Sequence, residues 1–183
     1  VRDERLVYER YLTGDDRKWG IAPKSGVVFG PDMLHDVRSI SKSVVGLTYG
    51  IALAEGKVPG PDAPVLDSFP EYADLAEDPA REAIAVRHAL SMTMGTEWSE
   101  DLAFSDPRNS EILMDQAPDG VRYALDRPLA APPGEVWVNN AGVTTVLGEL
   151  IARGAGQDLA SYAGEKLLAP LGIEEFEWVT DYY

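Results

Sequence analysis

The sequence predicts an α+β fold in which a small sheet precedes a mainly helical region. Residues 5–12, Arg-Leu-Val-Tyr-Glu-Arg-Tyr-Leu, are rich in β-forming residues, and the turn-forming residues 13–16 follow them. Residues 27–30, Val-Val-Phe-Gly, predict a second strand of the same sheet. Between residues 58 and 133, prolines and acidic residues separate short segments such as 86–92 and 109–115, and strand signals are nearly absent. We therefore expect several short helices joined by loops after the first strands.

Two longer helices have the clearest periodicity. Residues 39–55 form a helical pattern with a stop at Gly56. The apolar positions of this first helix are Val44, Val45, Leu47, Ile51 and Leu53. A second helix is predicted by an apolar stripe at i, i+3, i+4, i+7 and i+8, and it is closed by Gly154 and Gly156. That stripe consists of Val143, Val146, Leu147, Leu150 and Ile151. Asp158 is a candidate N-cap for a further helix that runs to residue 170, and residues 176–179 predict a returning strand.

Composition excludes several classes of function. The chain has 183 residues, 31 acidic against 16 basic residues, and a formal net charge of -15, which argues against a nucleic-acid partner. Cysteine is absent, so disulfides, thiolate zinc sites and cysteine nucleophiles are excluded. The two histidines, His35 and His88, lack the carboxylate spacing of a zinc site, and we expect both to be structural.

The sequence predicts no membrane partner and shows no targeting signal. The longest mostly apolar stretch, residues 44–54, is much shorter than the approximately 20 residues of a bilayer span. The first residues do not have the pattern of a signal peptide. We expect a soluble protein, and the sequence leaves its localisation and oligomeric state open.

The strongest chemical signal is Ser39-Ile-Ser-Lys42 at the start of the first predicted helix. The i, i+3 spacing puts the Ser39 hydroxyl and the Lys42 amine on one face of the helix, within reach of each other. A serine needs a neighbouring base to become a nucleophile, and a lysine shielded from water can be that base. The alternative is that Ser39 is only an N-cap and Lys42 only a solvated side chain.

The surrounding blocks resemble the class C β-lactamase-related serine hydrolases, a family that includes esterases, penicillin-binding enzymes and 6-aminohexanoate-dimer hydrolases. Residues 36–47, Asp-Val-Arg-Ser-Ile-Ser-Lys-Ser-Val-Val-Gly-Leu, look like the active-site helix of that family. Similar blocks occur in the same order as in the family at 6–14, 87–95, 133–148 and 170–173. The resemblance implies a β-lactamase/transpeptidase-like fold, with an antiparallel sheet flanked by helices and a helical subdomain. It also implies acyl transfer on Ser39, with Lys42 as base and with no metal or organic cofactor.

The chain departs from the family pattern in two places. The second motif of the family supplies a tyrosine, but the matching position here is Asn139, followed by Asn140, or Val138 if the register is shifted by one, and neither Asn139 nor Val138 can act as a general base. Tyr123, the nearest upstream tyrosine, lies in a segment unlike the motif, so we expect it to pack within a helix. The third motif, Lys- or His-x-Gly on a strand, is missing after the helical region. Lys24-Ser25-Gly26 has the right letters but precedes Ser39, in a predicted loop, and we expect the third motif to lie after residue 183.

These observations predict a partial serine hydrolase catalytic domain over residues 1–183, incomplete at both ends. Residues 1–57 hold the first strands and the active-site helix, 58–168 the mainly helical subdomain, and 169–183 return toward the sheet. The predicted substrate is a small ester or linear amide, and Trp98, just after a glycine turn, is a candidate for contact with the substrate. The alternative is a catalytically impaired pseudoenzyme or truncated fragment that at most binds a ligand in the old pocket.

Overall fold

The computed structural model describes residues 1–17, 24–103 and 105–179. The chain divides into two units, Val1–Arg38 and Ser39–Tyr183. In the first unit, strand β1 (Thr13–Asp16) pairs antiparallel with strand β2 (Lys24–Val28). Thr13 lies opposite Val28, and an irregularity in register falls between Gly14 and Asp16. These strands form the sheet of the α+β fold that the sequence predicts.

The predicted positions of both strands need correction. Residues 6–12 form no strand, and the segment expected to be a turn, 13–16, is β1. Strand β2 begins at Lys24 and ends at Val28, so Lys24-Ser25-Gly26 lies on a strand and not in a loop. The physical reason is that a strand exists only where its backbone finds a partner, and β-propensity alone does not specify that partner.

The second unit contains seven α-helices within the described residues. They are α1 (Ile40–Ala54), α2 (Pro79–Glu82), α3 (Val86–Leu90), α4 (Ser110–Asp115), α5 (Gly120–Leu125), α6 (Ala141–Ala155) and α7 (Leu159–Ala163). Short 3₁₀ segments occupy Leu66–Ser68, Pro70–Glu77 and Ala169–Leu171, and a π-helical segment follows α7 at Gly164–Leu168. The two long helices, α1 and α6, begin and end within about two residues of the predicted boundaries.

Helices α1 and α6 pack against each other and supply much of the core. All five residues of the predicted stripe of α6 are buried, which confirms the face assigned to that helix. The apolar positions of α1 do not coincide with its buried face, because Leu47 is 60% exposed and the buried positions are Val45, Thr48, Tyr49 and Ala52. This face accepts two polar groups because each has a partner. The Thr48 hydroxyl donates to the Val44 carbonyl, and the Tyr49 hydroxyl donates to the Pro59 carbonyl, each at 2.8 Å.

Local capping interactions determine where α6 ends and where α7 begins. Asp158 caps α7 as predicted, with its carboxylate accepting from the Ser161 amide at 2.8 Å. Gly156 ends α6 in the left-handed conformation. The predicted strand at 176–179 is wrong, because these residues form no strand. Their aromatic side chains contact helices instead: the Phe176 ring lies close to Gly164, and Trp178 packs against the core.

Candidate active site

Ser39 and Lys42 meet at the first turn of α1. Ser39 occupies the N-cap position, but its side chain makes no capping hydrogen bond. Instead, the Lys42 Nζ donates to the Ser39 Oγ at 3.1 Å. The i, i+3 spacing therefore brings the two polar groups together as expected from a helical face. Ser39 itself is exposed, so its oxygen is open to approach.

Glu100 joins this pair and was missed by the sequence analysis. Its Oε1 lies 3.2 Å from the Lys42 Nζ, and the two side chains are only 6% and 14% exposed, respectively. A charge removed from water to this extent is costly unless it is paired, and here each charge has the other as its partner. The signal available in the sequence was weak, since Glu100 is one of 31 acidic residues and lies 58 positions from Lys42.

The second oxygen of Glu100 is also occupied. Glu100 Oε2 accepts from the Trp98 Nε1 at 2.7 Å and from the Ala141 backbone amide at 2.8 Å. The carboxylate thus receives three donors from three parts of the chain: helix α1, the segment after Gly95, and the N-terminus of α6. These hydrogen bonds to a charged acceptor fix both the position and the plane of the carboxylate.

The segment that resembles the second motif lies beside this carboxylate. Ala141, whose amide contacts Glu100, follows directly after Asn139 and Asn140. Asn140 is 3% exposed and caps α6, its Oδ1 accepting from the Val143 amide at 3.2 Å. Asn139 is partly buried and immediately precedes that cap. Asn139, the position at which the resemblance predicts a tyrosine, therefore lies near the Lys42–Glu100 pair.

Trp98 makes a hydrogen bond, packs against an aromatic ring and lines a cleft. Besides its hydrogen bond to Glu100, its indole packs edge-on against the Tyr123 ring, with centroids 6.2 Å apart. Tyr123 lies in α5, consistent with the expected helix packing, and its buried hydroxyl has no partner among the described residues. Trp98 also lines a cleft of about 370 Å³ together with Thr96 and Val138. Ser39, Lys42 and Glu100 do not line this cleft, and a substrate contact at Trp98 remains a prediction.

Gly95 explains how the segment that carries Trp98 and Glu100 reaches the site. Its φ is +81°, a conformation that side-chain-bearing residues rarely adopt. A Cβ at this position would lie 2.2 Å from the Ala131 carbonyl oxygen. The glycine therefore allows the chain after α3 to turn tightly against residues 130–131. The segment that follows this turn contains Trp98 and Glu100, which lie at the site.

The histidines have structural surroundings. His88 is 8% exposed, and its Nδ1 accepts from the Ala85 amide at 3.0 Å. Burial, with a smaller contribution from the nearby charge of Arg87, lowers the pKa of His88. The His35 ring packs against Phe29, with centroids 5.0 Å apart.

The described residues contain neither a metal-binding cluster nor a helix able to cross a membrane. Within 1–17, 24–103 and 105–179, His, Asp and Glu side chains form no cluster of three suited to a metal ion. None of the described helices combines the length and apolarity needed to cross a bilayer.

Comparisons with known proteins agree with this architecture. Monacolin J acid methylbutanoyltransferase of Aspergillus terreus is 30% identical over 117 residues, which cover 61% of this chain and 27% of that protein. The octameric penicillin-binding protein homologue from Pyrococcus abyssi matches at a TM-score of 0.57 and 22% identity, over 80% of this chain and 33% of that one. A hydrolase with promiscuous acyltransferase activity matches at a TM-score of 0.53 and 20% identity, over 73% and 36%. This chain therefore spans well under half the length of each.

The family and the fold class follow from these matches. The structural likenesses confirm the β-lactamase/transpeptidase-like fold class. The family model described as Beta-lactamase matches residues 1–182, which is nearly the whole chain. The expected resemblance is thus confirmed, and the chain belongs to the beta-lactamase family.

Proposed function

We propose that the protein transfers acyl groups to water through a covalent intermediate on Ser39, with Lys42 as the base. The observation that carries this proposal is the 3.1 Å contact between the Lys42 Nζ and a Ser39 Oγ that makes no capping bond. An N-cap serine without a capping bond leaves its hydroxyl available for another task, and a lysine is within hydrogen-bond distance of it.

The chemistry follows from this pairing. Ser39 attacks an ester or amide carbonyl while its proton passes to Lys42, and the leaving group departs with a proton. Water then attacks the acyl-enzyme and restores the serine. Because α1 starts at the site, its N-terminal partial positive charge favours the negative oxygen of the tetrahedral intermediate.

A small ester or linear amide is the proposed substrate. Two of the matched proteins are described by acyl chemistry, one as a methylbutanoyltransferase and one as a hydrolase with promiscuous acyltransferase activity. These descriptions support acyl transfer as the reaction type for this chain.

A fluorophosphonate probe tests the proposal, because it reacts covalently with activated serines. We expect the protein to be labelled, the label to map to Ser39, and Ser39→Ala to abolish it. Ser41→Ala and Ser43→Ala are matched controls on the same helix, and both should retain the label. Labelling that survives Ser39→Ala, or that maps to Ser41 or Ser43, would contradict the assignment.

A second candidate is a catalytically impaired protein that binds a ligand without turning it over. It is favoured by Asn139, because an amide cannot exchange a proton near neutral pH as the phenol of the family motif does. A protein that fails to react with the probe but binds a reporter penicillin reversibly, as measured by calorimetry, would support this candidate over the hydrolase.

A further inference from the structure

We propose that a cleft beside helix α3 binds a small carboxylate, which the Arg87 guanidinium and the Nε2–H group of His88 hold in place. The cleft has a volume of about 510 Å³, and the residues that line it are Arg87, His88, Ser91, Thr93 and Gly134. Ser39, Lys42 and Glu100 are not among them. Binding in this cleft therefore does not depend on the reaction proposed for Ser39.

The two ring nitrogens of His88 have different surroundings. Nδ1 accepts the Ala85 backbone N–H at 3.0 Å, and a neutral imidazole that accepts at Nδ1 carries its hydrogen on Nε2. Burial favours this neutral form, because it lowers the pKa of His88. No acceptor for Nε2 occurs within the described part of the chain. The ring thus presents a donor whose partner must come from outside the fold.

Gly134 leaves this edge of the imidazole uncovered. A Cβ at position 134 would lie 3.4 Å from the His88 Nε2 and 3.5 Å from the Cδ2, so a side chain there would rest against the donor. Gly134 has a φ of +94°, and its amide donates to the Thr93 carbonyl at 2.7 Å. The Thr93 amide donates in turn to the His88 carbonyl at 2.7 Å. Backbone hydrogen bonds therefore hold these three lining residues in fixed positions.

The charge of the lining residues favours an anion. Among the five described residues that line the cleft, Arg87 carries a full charge and none is acidic. Its Nη1 donates to Asp62, whose side chain is 89% exposed, and an ion pair so open to water contributes little. A guanidinium has five N–H donors in a planar fork that matches a carboxylate. Arg87 therefore has donors to offer to a ligand in the cleft.

Thr93 adds a hydroxyl group to these donors. The Ser91 Oγ donates to the Arg87 carbonyl at 2.7 Å, so Thr93 is the donor in the 2.8 Å contact between the Ser91 and Thr93 hydroxyls. A ligand oxygen can replace Ser91 as the acceptor of this hydrogen. The cleft then offers a carboxylate one charged donor group and two neutral ones.

A carboxylate fits this cleft better than a phosphate. One guanidinium balances the single charge of a carboxylate, whereas a phosphate group approaches two negative charges near neutral pH. The chain already has a net charge of -15, so a second charge would remain unbalanced. Hydrolysis of an ester or amide releases a carboxylate, so the product of the proposed reaction belongs to this class of ligand.

Imidazole NMR signals measure binding directly, because the chain has two histidines. His88 reports on the cleft, and His35, whose ring packs against Phe29, is the internal control. The probe is sodium acetate, added at about pH 7.5 with sodium chloride keeping the ionic strength constant. We expect the Nε2 signal of His88 to shift saturably and the signals of His35 to stay in place. His35→Gln assigns the two sets of signals.

Two substitutions on the surface test the contact with Arg87. Arg87→Gln should raise the acetate concentration at half-saturation by about tenfold or more, the usual effect of losing a hydrogen bond to a charged group. Asp62→Asn is the matched control, because it removes the surface partner of Arg87 and keeps the guanidinium. This variant should bind acetate at least as tightly as the parent.

Thr93→Val removes only a hydroxyl and covers the case in which Arg87→Gln does not fold. It should raise the half-saturating concentration by about threefold or more. No saturable shift of His88, or an equal shift of His35, would overturn the site. Unchanged acetate binding in Arg87→Gln or Thr93→Val would refute the assigned contacts.

Inorganic phosphate, titrated in the same way, distinguishes the class of anion. It should bind more weakly than acetate, and phosphate binding as tight as acetate binding would overturn the assignment to a carboxylate. All of these measurements are independent of labelling at Ser39, so a negative result here leaves the proposed function intact.

Discussion

Gly142 connects the packing of α6 to the geometry of the site, and its replacement by alanine should disturb both. A Cβ at this position would lie 2.8 Å from the Ala124 Cβ and 2.9 Å from two ring atoms of Trp98. Ordinary contact begins near 3.4 Å. The Ala124 methyl is attached directly to the backbone of α5 and cannot rotate away. The indole is tied to Glu100 by its N–H group, so neither neighbour moves without a cost.

The expected effect is the difference between two opposing contributions. An added methyl in a filled core costs about 1–3 kcal/mol, and alanine in place of glycine gains up to about 1 kcal/mol of helix propensity. Gly142→Ala should therefore lower the free energy of unfolding by about 1–2 kcal/mol. Gly50 in α1 is the matched control, because no atom would lie within 4 Å of its Cβ. Gly50→Ala should keep the propensity gain and raise the free energy of unfolding by up to about 1 kcal/mol.

Urea denaturation and thermal melts of the two variants measure this difference directly. The two stability changes differ by about 1–3 kcal/mol. For a protein of this size, 1 kcal/mol shifts the midpoint by about 2–4 °C, so the two melting temperatures should differ by roughly 2–12 °C. The fluorophosphonate rate should also decrease in Gly142→Ala, because a displaced Trp98 also displaces Glu100. If Gly142→Ala is as stable as Gly50→Ala, the close packing of α5, α6 and Trp98 described above is wrong.

Two further predictions concern Asn139 and His88. Asn139→Tyr should raise the hydrolysis of a chromogenic ester by at least about tenfold, because it restores a phenol that can exchange protons. Val138→Tyr controls for the register, and no gain in either variant while Ser39 stays reactive would contradict the alignment. Because burial lowers the pKa of His88, the unfolded chain takes up a proton there before the folded protein does. The free energy of unfolding should therefore decrease as the pH falls below about 6.5 and through the lowered pKa. The test is urea denaturation at one pH above and one pH below this value. His88→Asn keeps an acceptor for the Ala85 amide, so its free energy of unfolding should decrease less between the two pH values than that of the parent. An equal decrease in both proteins would argue against His88 as the source of the pH dependence.

Local patterns determined much of this structure. The buried stripe of α6 follows from its helical period, because residues three and four positions apart share one face whatever the rest of the chain does. The cap at Asp158 and the glycine stop at Gly156 depend on neighbours within the same turn. The pairing of Ser39 with Lys42 belongs to the same class, since a single helical turn brings both groups together. The family resemblance was likewise present in the order of these short blocks.

Tertiary structure alone decided the features that need a distant partner. Strand β1 lies at 13–16 because β2 pairs with it there, although residues 5–12 have the stronger β composition. Leu47 is exposed because the packing of α1 against α6 buries a different face, and on that face Thr48 and Tyr49 find hydrogen-bond partners.

Glu100 is the clearest example of this dependence at the site. As part of an acidic chain it has no distinguishing period or motif. Folding brings it from 58 positions away to Lys42 and supplies Trp98 and Ala141 to hold it. The sequence by itself therefore determined the candidate nucleophile and its lysine, which lie within one helical turn. The carboxylate that completes their environment was decided only by long-range packing, because burial and charge pairing are properties of the assembled core and not of any local pattern.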